Sequence, residues 1–228
     1  MITEDLNTLF SLPLSEQAYV QFQNLQAELL TITYEKGRAD SWSFLWGSHV
    51  YSSKIFYDLA FRNSPTPLTF AWLCKSRCIR WIQFFGRLLL VDRLNTRSML
   101  RRRHFHLDDG YLCVMCSLGV EDDVLHLFFD CPFPKSCWQA LHFIWIDDND
   151  LLAKIISGRT QNALLFFMEI FLIATWEIWK LRNDKIFNRG MFSRSQWISN
   201  FKKQVHLHLV RVKTSLHEQI VQWIDSIV

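Results

Sequence analysis

Four residues between positions 113 and 131 constrain this chain more than any other feature of its sequence. Cys113 and Cys116 form a CxxC pair, His126 follows after nine intervening residues, and Cys131 follows after four more. Three thiolates and one imidazole suit tetrahedral zinc, and a CxxC turn can bring two sulfurs to one ion at the roughly 2.3 Å of a zinc–sulfur bond. The pattern predicts a structural zinc site, because protein side chains fill all four positions and leave none open for water.

Spacing alone leaves a second interpretation open for this segment. The residues around the four candidate ligands are largely apolar, and cysteine is commonly buried as a small hydrophobic side chain. The segment could therefore be a metal-free piece of core. The other cysteines, Cys74, Cys78 and Cys137, are expected to be ordinary reduced thiols, with Cys74 and Cys78 on one helix face.

The composition favours a mainly α fold in one or two units. The chain has 228 residues, half of them apolar, and only 7 Gly and 5 Pro against 19 Phe and 10 Trp. Few turn-forming residues favour long helices over a sandwich or barrel. We therefore expect a helical domain with a small zinc-stabilised loop between helices.

Apolar residues recurring every three or four positions place the expected helices along the chain. Trp42 to Val50 is rich in aromatics and is expected to be extended, and Ser52 or Ser53 is expected to cap a helix. The helices are predicted over Leu14 to Ile32, Ser53 to Phe61, Phe70 to Arg103 in two pieces with the second starting at Phe84, about 135–146, about 162–186 and about 195–225.

One apolar stretch, Ala163 to Ile178, tests whether the chain crosses a membrane. It contains Glu169 and Glu177 and falls short of the roughly 20 residues that span a bilayer, so we interpret it as a core helix and expect no membrane contact. The N-terminus is polar and acidic, unlike a signal peptide, so we expect a nuclear or cytoplasmic protein that is not secreted.

An ordered series of motifs resembles the zinc-binding region of plant LINE-type (non-LTR) retrotransposon reverse transcriptases. The motifs are Asp40-Ser-Trp-Ser-Phe-Leu-Trp-Gly, Tyr51-Ser-Ser-Lys, the run from Leu88 to Arg103, and CVMCSLGVEDDVLHLFFDCPFPKSCW from Cys113 to Trp138. The resemblance implies that Cys113, Cys116, His126 and Cys131 hold Zn2+. It also implies three parts: an N-terminal helical lead-in at 1–39, the zinc-binding domain at 40–146 and a C-terminal helical tail at 147–228.

The resemblance implies a non-catalytic accessory role. Nothing in the sequence resembles the endonuclease or the polymerase palm of such elements, and no small-molecule substrate is expected. The paired aspartates Asp108-Asp109, Asp122-Asp123 and Asp147-Asp148 do not lie between apolar strands, as the metal-binding carboxylates of a polymerase would, and are interpreted as solvated turns or helix starts.

A cluster of basic residues before the CxxC pair is the candidate nucleic-acid-binding surface. It comprises Arg93, Arg97, Arg101, Arg102, Arg103 and His104, with His106 beyond them. At helical spacing these side chains could meet successive phosphates of RNA or DNA, weakly and without sequence preference. The plainer interpretation is a solvated helix end whose cations offset the helix dipole. The alternative function is a protein-interaction module that docks on a reverse transcriptase polymerase domain or self-associates.

Overall fold

The computed structural model describes residues 15–31, 42–62, 64 and 66–227, and these residues are mainly helical, as predicted. They form two units, divided after position 63. The described helices of the first unit are α1 (Glu16–Thr31) and α2 (Ser53–Ala60). Those of the second are α3 (Leu68–Lys75), α4 (Arg80–Leu90), α5 (Arg97–Arg102), α6 (Pro132–Ala140), α7 (Leu151–Asn162), α8 (Phe167–Asn188), α9 (Arg194–Leu209) and α10 (His217–Asp225), with a π turn at His126–Asp130 and a 3-10 turn at Thr214–Leu216.

The first unit confirms the predicted helix start at Ser52 and corrects one neighbouring prediction. The Ser52 hydroxyl accepts a hydrogen bond from the Ile55 backbone N–H at 3.4 Å, which caps α2. The segment from Trp42 to Val50 is a turn and not an extended strand. Gly47 adopts a φ of 77°, and the Phe44 N–H donates to the Ser48 carbonyl at 3.0 Å, so the backbone reverses there. Residues 1–14 and 32–41, which include the ends of the first predicted helix and Asp40, lie outside the described residues.

Helix α8 runs through the core of the second unit. Apart from Glu169, Thr175 and Glu177, its first half is apolar, and most of it is buried, with Phe171, Leu172 and Ile173 fully inaccessible to solvent. It packs against α4, α7 and α9. No described helix is both long and apolar enough to cross a lipid bilayer.

A glycine sets the distance between α4 and α8. A Cβ atom added at Gly86 would overlap the Leu172 side chain of α8 and approach Leu73 Cδ1 to 2.9 Å. The close approach brings Phe85 edge-on to Trp176 of α8, with ring centroids 5.2 Å apart, and to Phe128 of the π turn at 6.1 Å. The α4–α8 pair thereby supports the segment that carries the candidate ligands.

Two predicted long helices are broken. The piece expected from Phe84 to Arg103 begins earlier, at Arg80, and ends at Leu90. Asp92 takes a φ of 49° after it, and the chain restarts as α5 with Thr96 as its cap. The helix expected over 195–225 is interrupted between α9 and α10. That break turns the chain back, so that Trp223 lies 6.3 Å from the Phe201 ring, whereas one continuous helix would separate these residues by about 33 Å. The domain boundaries predicted at 39/40 and 146/147 stay predictions.

Candidate metal centre

The CxxC pair lies in a loop that is closed by backbone hydrogen bonds. The Cys113 N–H donates to the Val120 carbonyl at 2.8 Å, and the Asp122 N–H donates to the Tyr111 carbonyl at 3.0 Å. These bonds flank an antiparallel bridge between Leu112 and Glu121. Gly119, with a φ of 68°, makes the return bend that this closure requires. Both cysteines are thus held in one tight loop.

The histidine and the last cysteine are placed by a single turn of helix. Asp123 begins that turn, since its Oδ1 accepts the His126 backbone N–H at 2.8 Å. The turn then widens to the π form, in which the Cys131 N–H donates to the His126 carbonyl at 2.8 Å. The Trp138 indole N–H of α6 donates to the Phe128 carbonyl at 2.6 Å and thereby connects the π turn to α6.

The four candidate ligand atoms converge to within 4.8 Å of one another. Cys113 Sγ and Cys131 Sγ are 4.0 Å apart, and Cys116 Sγ is 3.4 Å from His126 Nε2. In a tetrahedral zinc site two sulfurs lie about 3.8 Å apart, and a sulfur and a nitrogen about 3.6 Å apart. The distances and the soft donor set therefore fit one zinc ion, and they place all four predicted ligands in one cluster.

The charge state of the thiols depends on whether a cation is bound. The hydrogen bond that Cys113 donates to Cys131, together with burial, raises the pKa of the Cys113 thiol above its ordinary value. The Met115 N–H donates to Cys113 Sγ at 3.3 Å and acts in the opposite direction. Two thiolates at this separation repel each other in a buried site, and a divalent cation between them offsets that repulsion.

A buried carboxylate, Asp122, connects the metal loop to two helices. Its Oδ2 accepts the Arg97 backbone N–H of α5 at 3.2 Å and the Arg182 Nε of α8 at 3.1 Å. Asp122 is fully buried and Arg182 is 3% exposed. The expectation that Asp122 lies in a solvated turn is therefore wrong, because its charge is compensated inside the protein by the Arg182 guanidinium. The sequence offered no signal for this pair, whose members are 60 positions apart.

Arg97, one of the predicted phosphate contacts, points into the protein. Its side chain is 6% exposed, and its guanidinium forms an ion pair with Asp109. The same group donates to the backbone carbonyls of Gly110 at 3.1 Å and Leu112 at 3.4 Å. Arg97 therefore fastens the residues that lead into the CxxC loop.

The other predicted nucleic-acid contacts lie on the surface. Arg101 pairs with Glu121 at 2.8 Å, Arg102 pairs with Asp92 at 2.6 Å, and Arg103 donates to the Asn95 side chain at 3.2 Å. Arg93 and His104 are also exposed, and His104 ends α5 with a φ of 61°.

The three remaining cysteines lie apart from the cluster as free thiols. Cys74 is exposed at the end of α3, whereas Cys78 is buried in the loop that follows, so they do not share the predicted helix face. Burial raises the pKa of Cys78 and of Cys137 far above the ordinary range, which keeps both as neutral thiols.

The fold and the cluster define a helical domain with a Cys3His centre suited to a structural metal. Residues 51–138 match a family model described as zinc-binding in reverse transcriptase. The matched stretch contains all four cluster residues, and together the match and the cluster indicate zinc or metal binding. Searches of curated proteins and of solved structures found no significant match.

Proposed function

We propose that this chain is a non-catalytic, zinc-binding accessory domain of a retrotransposon reverse transcriptase, and that it assists the binding of RNA or DNA. The observation that carries the proposal is the closed Cys3His cluster inside the stretch that matches the reverse-transcriptase zinc-binding family. A site with four protein ligands has no open position for a reacting water, which favours a structural role for the ion. The plant LINE-type assignment rests on the ordered resemblance of residues 42–145.

The nucleic-acid role is supported by the arginines at the end of α5. The side chains of Arg101 and Arg102 are 57% and 49% exposed. Exposed ion pairs contribute little, so a phosphate can replace Glu121 or Asp92 as the partner at small cost. Arg101 also lies 5.9 Å from the centroid of the Tyr111 ring beside the CxxC loop. Zinc would thus position these cations, while Arg97 has the structural task of holding the loop.

Metal analysis of purified variants tests the zinc assignment. Cys113→Ser and His126→Ala are expected to lower zinc content and thermal stability together, because each removes one of four ligands. Cys74→Ser is the matched control, since Cys74 is an exposed thiol outside the cluster. Full zinc occupancy in the Cys113→Ser, Cys131→Ser double variant would exclude these ligands.

The nucleic-acid role has a separate test. Replacing Arg101, Arg102 and Arg103 by Gln is expected to weaken the binding of RNA and of single-stranded DNA to the same extent. If each meets a phosphate, the log–log salt slope should become less steep by about 2, from roughly 0.7 per contact. An unchanged Kd and slope, with zinc still bound, would contradict the phosphate contacts and leave these cations to offset the helix dipole.

One observation in the first unit favours the alternative, an interaction module that self-associates or docks on a polymerase domain. Trp42 is 87% exposed and Leu45 is 94% exposed, beside a stacked Phe44–Trp46 pair whose centroids are 4.8 Å apart. Large exposed apolar side chains of this kind are typical of protein contacts. Oligomerisation that persists in high salt and is abolished by Trp42→Ala and Leu45→Ser would support this function.

A further inference from the structure

The outward face of α4 combines bare aromatic rings with arginines. Trp81 is 76% exposed and Phe84 is 57% exposed, although both are large apolar side chains at neighbouring positions on a helix surface. Arg80 and Arg87 are exposed on the same side of the helix. Neither ring takes part in an aromatic or cation–π contact within the described part of the chain.

The opposite face of α4 holds the helix rigidly. Ile82 and Leu89 are fully buried and Phe85 is 3% exposed. Gly86 lies against Leu172 of α8, and the Ile79 N–H at the start of α4 donates to His208 Nε2 at 3.2 Å. The exposed rings therefore project from a fixed helix, so little ordering of the backbone would accompany binding.

The sequence segment that contains α4 has basic residues and no acidic ones. No Asp or Glu occurs between Ser64 and Val91, whereas Lys75, Arg77, Arg80 and Arg87 lie in that interval. The Glu169 carboxylate of α8 accepts the Arg77 backbone N–H at 2.8 Å. Arg80 and Arg87 form no ion pair with any residue that the structure describes. By contrast, Arg101 and Arg102 on α5 are each paired with a carboxylate. The α4 face thus presents cations that have no acidic partner among the described residues.

We propose that the outward face of α4 binds single-stranded nucleic acid, with bases stacked on Trp81 and Phe84 and phosphates held by Arg80 and Arg87. This inference rests on the proposed nucleic-acid role and names a second contact surface for it. Aromatic side chains stack on unpaired bases irrespective of sequence, and adjacent cations follow the backbone. The bases of a continuous duplex are already stacked on one another, so this face selects single strands.

The arrangement fits a polyanion better than a protein partner. Aromatic residues and Arg are enriched at protein interfaces as well, so the unpaired guanidinium groups decide between the two classes of partner. On α4 the rings of Trp81 and Phe84 are flanked by Arg80 and Arg87 at both ends, and no described carboxylate neutralises either guanidinium. A ligand with alternating planar rings and negative charges matches both features.

Fluorescence anisotropy of the zinc-loaded full chain tests this surface, with a labelled oligouridylate, an oligothymidylate of equal length and a blunt duplex as probes. The Trp81→Ala, Phe84→Ala variant is expected to lose about tenfold in affinity for each base that loses its stacking partner. The Arg80→Gln, Arg87→Gln variant should flatten the log–log salt slope by about 1.4, from roughly 0.7 per contact. Phe187→Ala and Lys203→Gln are the matched controls, because both residues are exposed on other helices.

Three outcomes would overturn the proposal. If the wild type binds single strands but both α4 variants bind equally well, the α4 surface is excluded and the proposed function stands. If the wild type binds no single strand, the nucleic-acid role fails together with the α4 surface. If sedimentation shows a folded wild-type dimer that Trp81→Ala, Phe84→Ala converts to a monomer with unchanged RNA affinity, the face belongs to a second copy of the chain. The proposed α4 surface is supported if both variants bind single strands more weakly than the wild type while their zinc content and helicity are unchanged.

Discussion

At the scale of single residues, Asp122 joins the metal loop to two helices. It is fully buried and accepts hydrogen bonds from Arg97 of α5 and Arg182 of α8. Asp122→Asn is expected to destabilise the chain by about 3 kcal/mol or more, because it leaves the buried Arg182 guanidinium without a compensating charge. Urea unfolding of the zinc-loaded protein measures the loss.

The control for Asp122 is an aspartate whose ion pair with an arginine lies on the surface. Asp92 is 44% exposed and pairs with Arg102, which is 49% exposed, so Asp92→Asn should cost at most about 1 kcal/mol. Replacing the pair by Asp122→Leu with Arg182→Met should recover part of the loss, because it removes both buried charges together. Equal stability of Asp122→Asn and wild type would show that the pair contributes nothing.

A second residue, His208, makes stability depend on pH. Its Nδ1 lies 2.7 Å from the Gln204 carbonyl and its Nε2 accepts the Ile79 N–H, so the ring is neutral in this arrangement. Burial lowers the pKa of His208 below its ordinary value of 6.5. The unfolded chain therefore takes up a proton first, and stability should fall as pH drops below about 6.5 until the folded-state pKa is passed.

Unfolding free energies at pH 7.5 and pH 5 check this dependence. His208→Gln keeps an acceptor for the Ile79 N–H but cannot titrate, so it should lose less stability between the two pH values than the wild type. The zinc ligands also protonate in acid, but they do so in both proteins and their effect cancels in the comparison. His106→Gln, at an 87% exposed side chain, should behave like the wild type.

At the scale of elements, the contact between α4 and α8 depends on the absence of a side chain. In an exposed helix Gly86→Ala would stabilise by roughly 1 kcal/mol through helix propensity. Here the added methyl group meets Leu172 and Leu73, so we expect a net loss of about 1–3 kcal/mol. Thermal unfolding shows whether Gly86→Ala raises or lowers the Tm. Arg87→Ala, an exposed neighbour on α4, should be close to neutral, and a raised Tm for Gly86→Ala would contradict this packing.

Several helices were predictable from the sequence, but α7 and the interruptions of the long helices were not. Ser52 located α2, and the apolar run from Ala163 to Ile178 located α8 to within about five residues, because local capping and hydrophobicity decide those elements. The breaks at Asp92 and after Leu209 carry no Gly or Pro. They form because folding back buries Leu94, Ile220 and Ile224, and this gain depends on tertiary packing that periodicity does not contain.

At the scale of the whole molecule, zinc is expected to stabilise one part of the second unit. The four ligands lie on the π turn and the CxxC loop, whereas α8 is embedded in an apolar core around Phe171 and Leu172. Chelation at neutral pH should therefore lower the Tm and open the loop to proteolysis while most of the helical circular dichroism signal remains. Complete loss of that signal would mean that the whole unit folds only with metal, as small zinc fingers do.

The metal cluster could be predicted from the sequence, whereas its supports could not. Ligand type and spacing are local properties, and the four predicted residues do converge. Arg97 shows the limit of local reasoning, because helical spacing placed it with Arg101 on a solvent-facing stripe, but its guanidinium pairs with Asp109 inside the loop. The fold of residues 109–122 decides which arginine faces solvent. The hydrogen bonds of that fold cannot be predicted from the order of charged residues in the sequence.

The π turn makes the length of the His126–Cys131 segment a fixed quantity. Its hydrogen bond spans five residues, one more than in an α-helix, so the turn is equivalent to an α-helical turn with one inserted residue. Deleting any one of residues 127–130 would shrink the ring to the α-helical size and rotate Cys131 by about 100° around the helix axis. The number of residues between His126 and Cys131 is therefore set by the geometry of the cluster, whereas the identities of Leu127, Phe128 and Phe129 are set by their burial in the core.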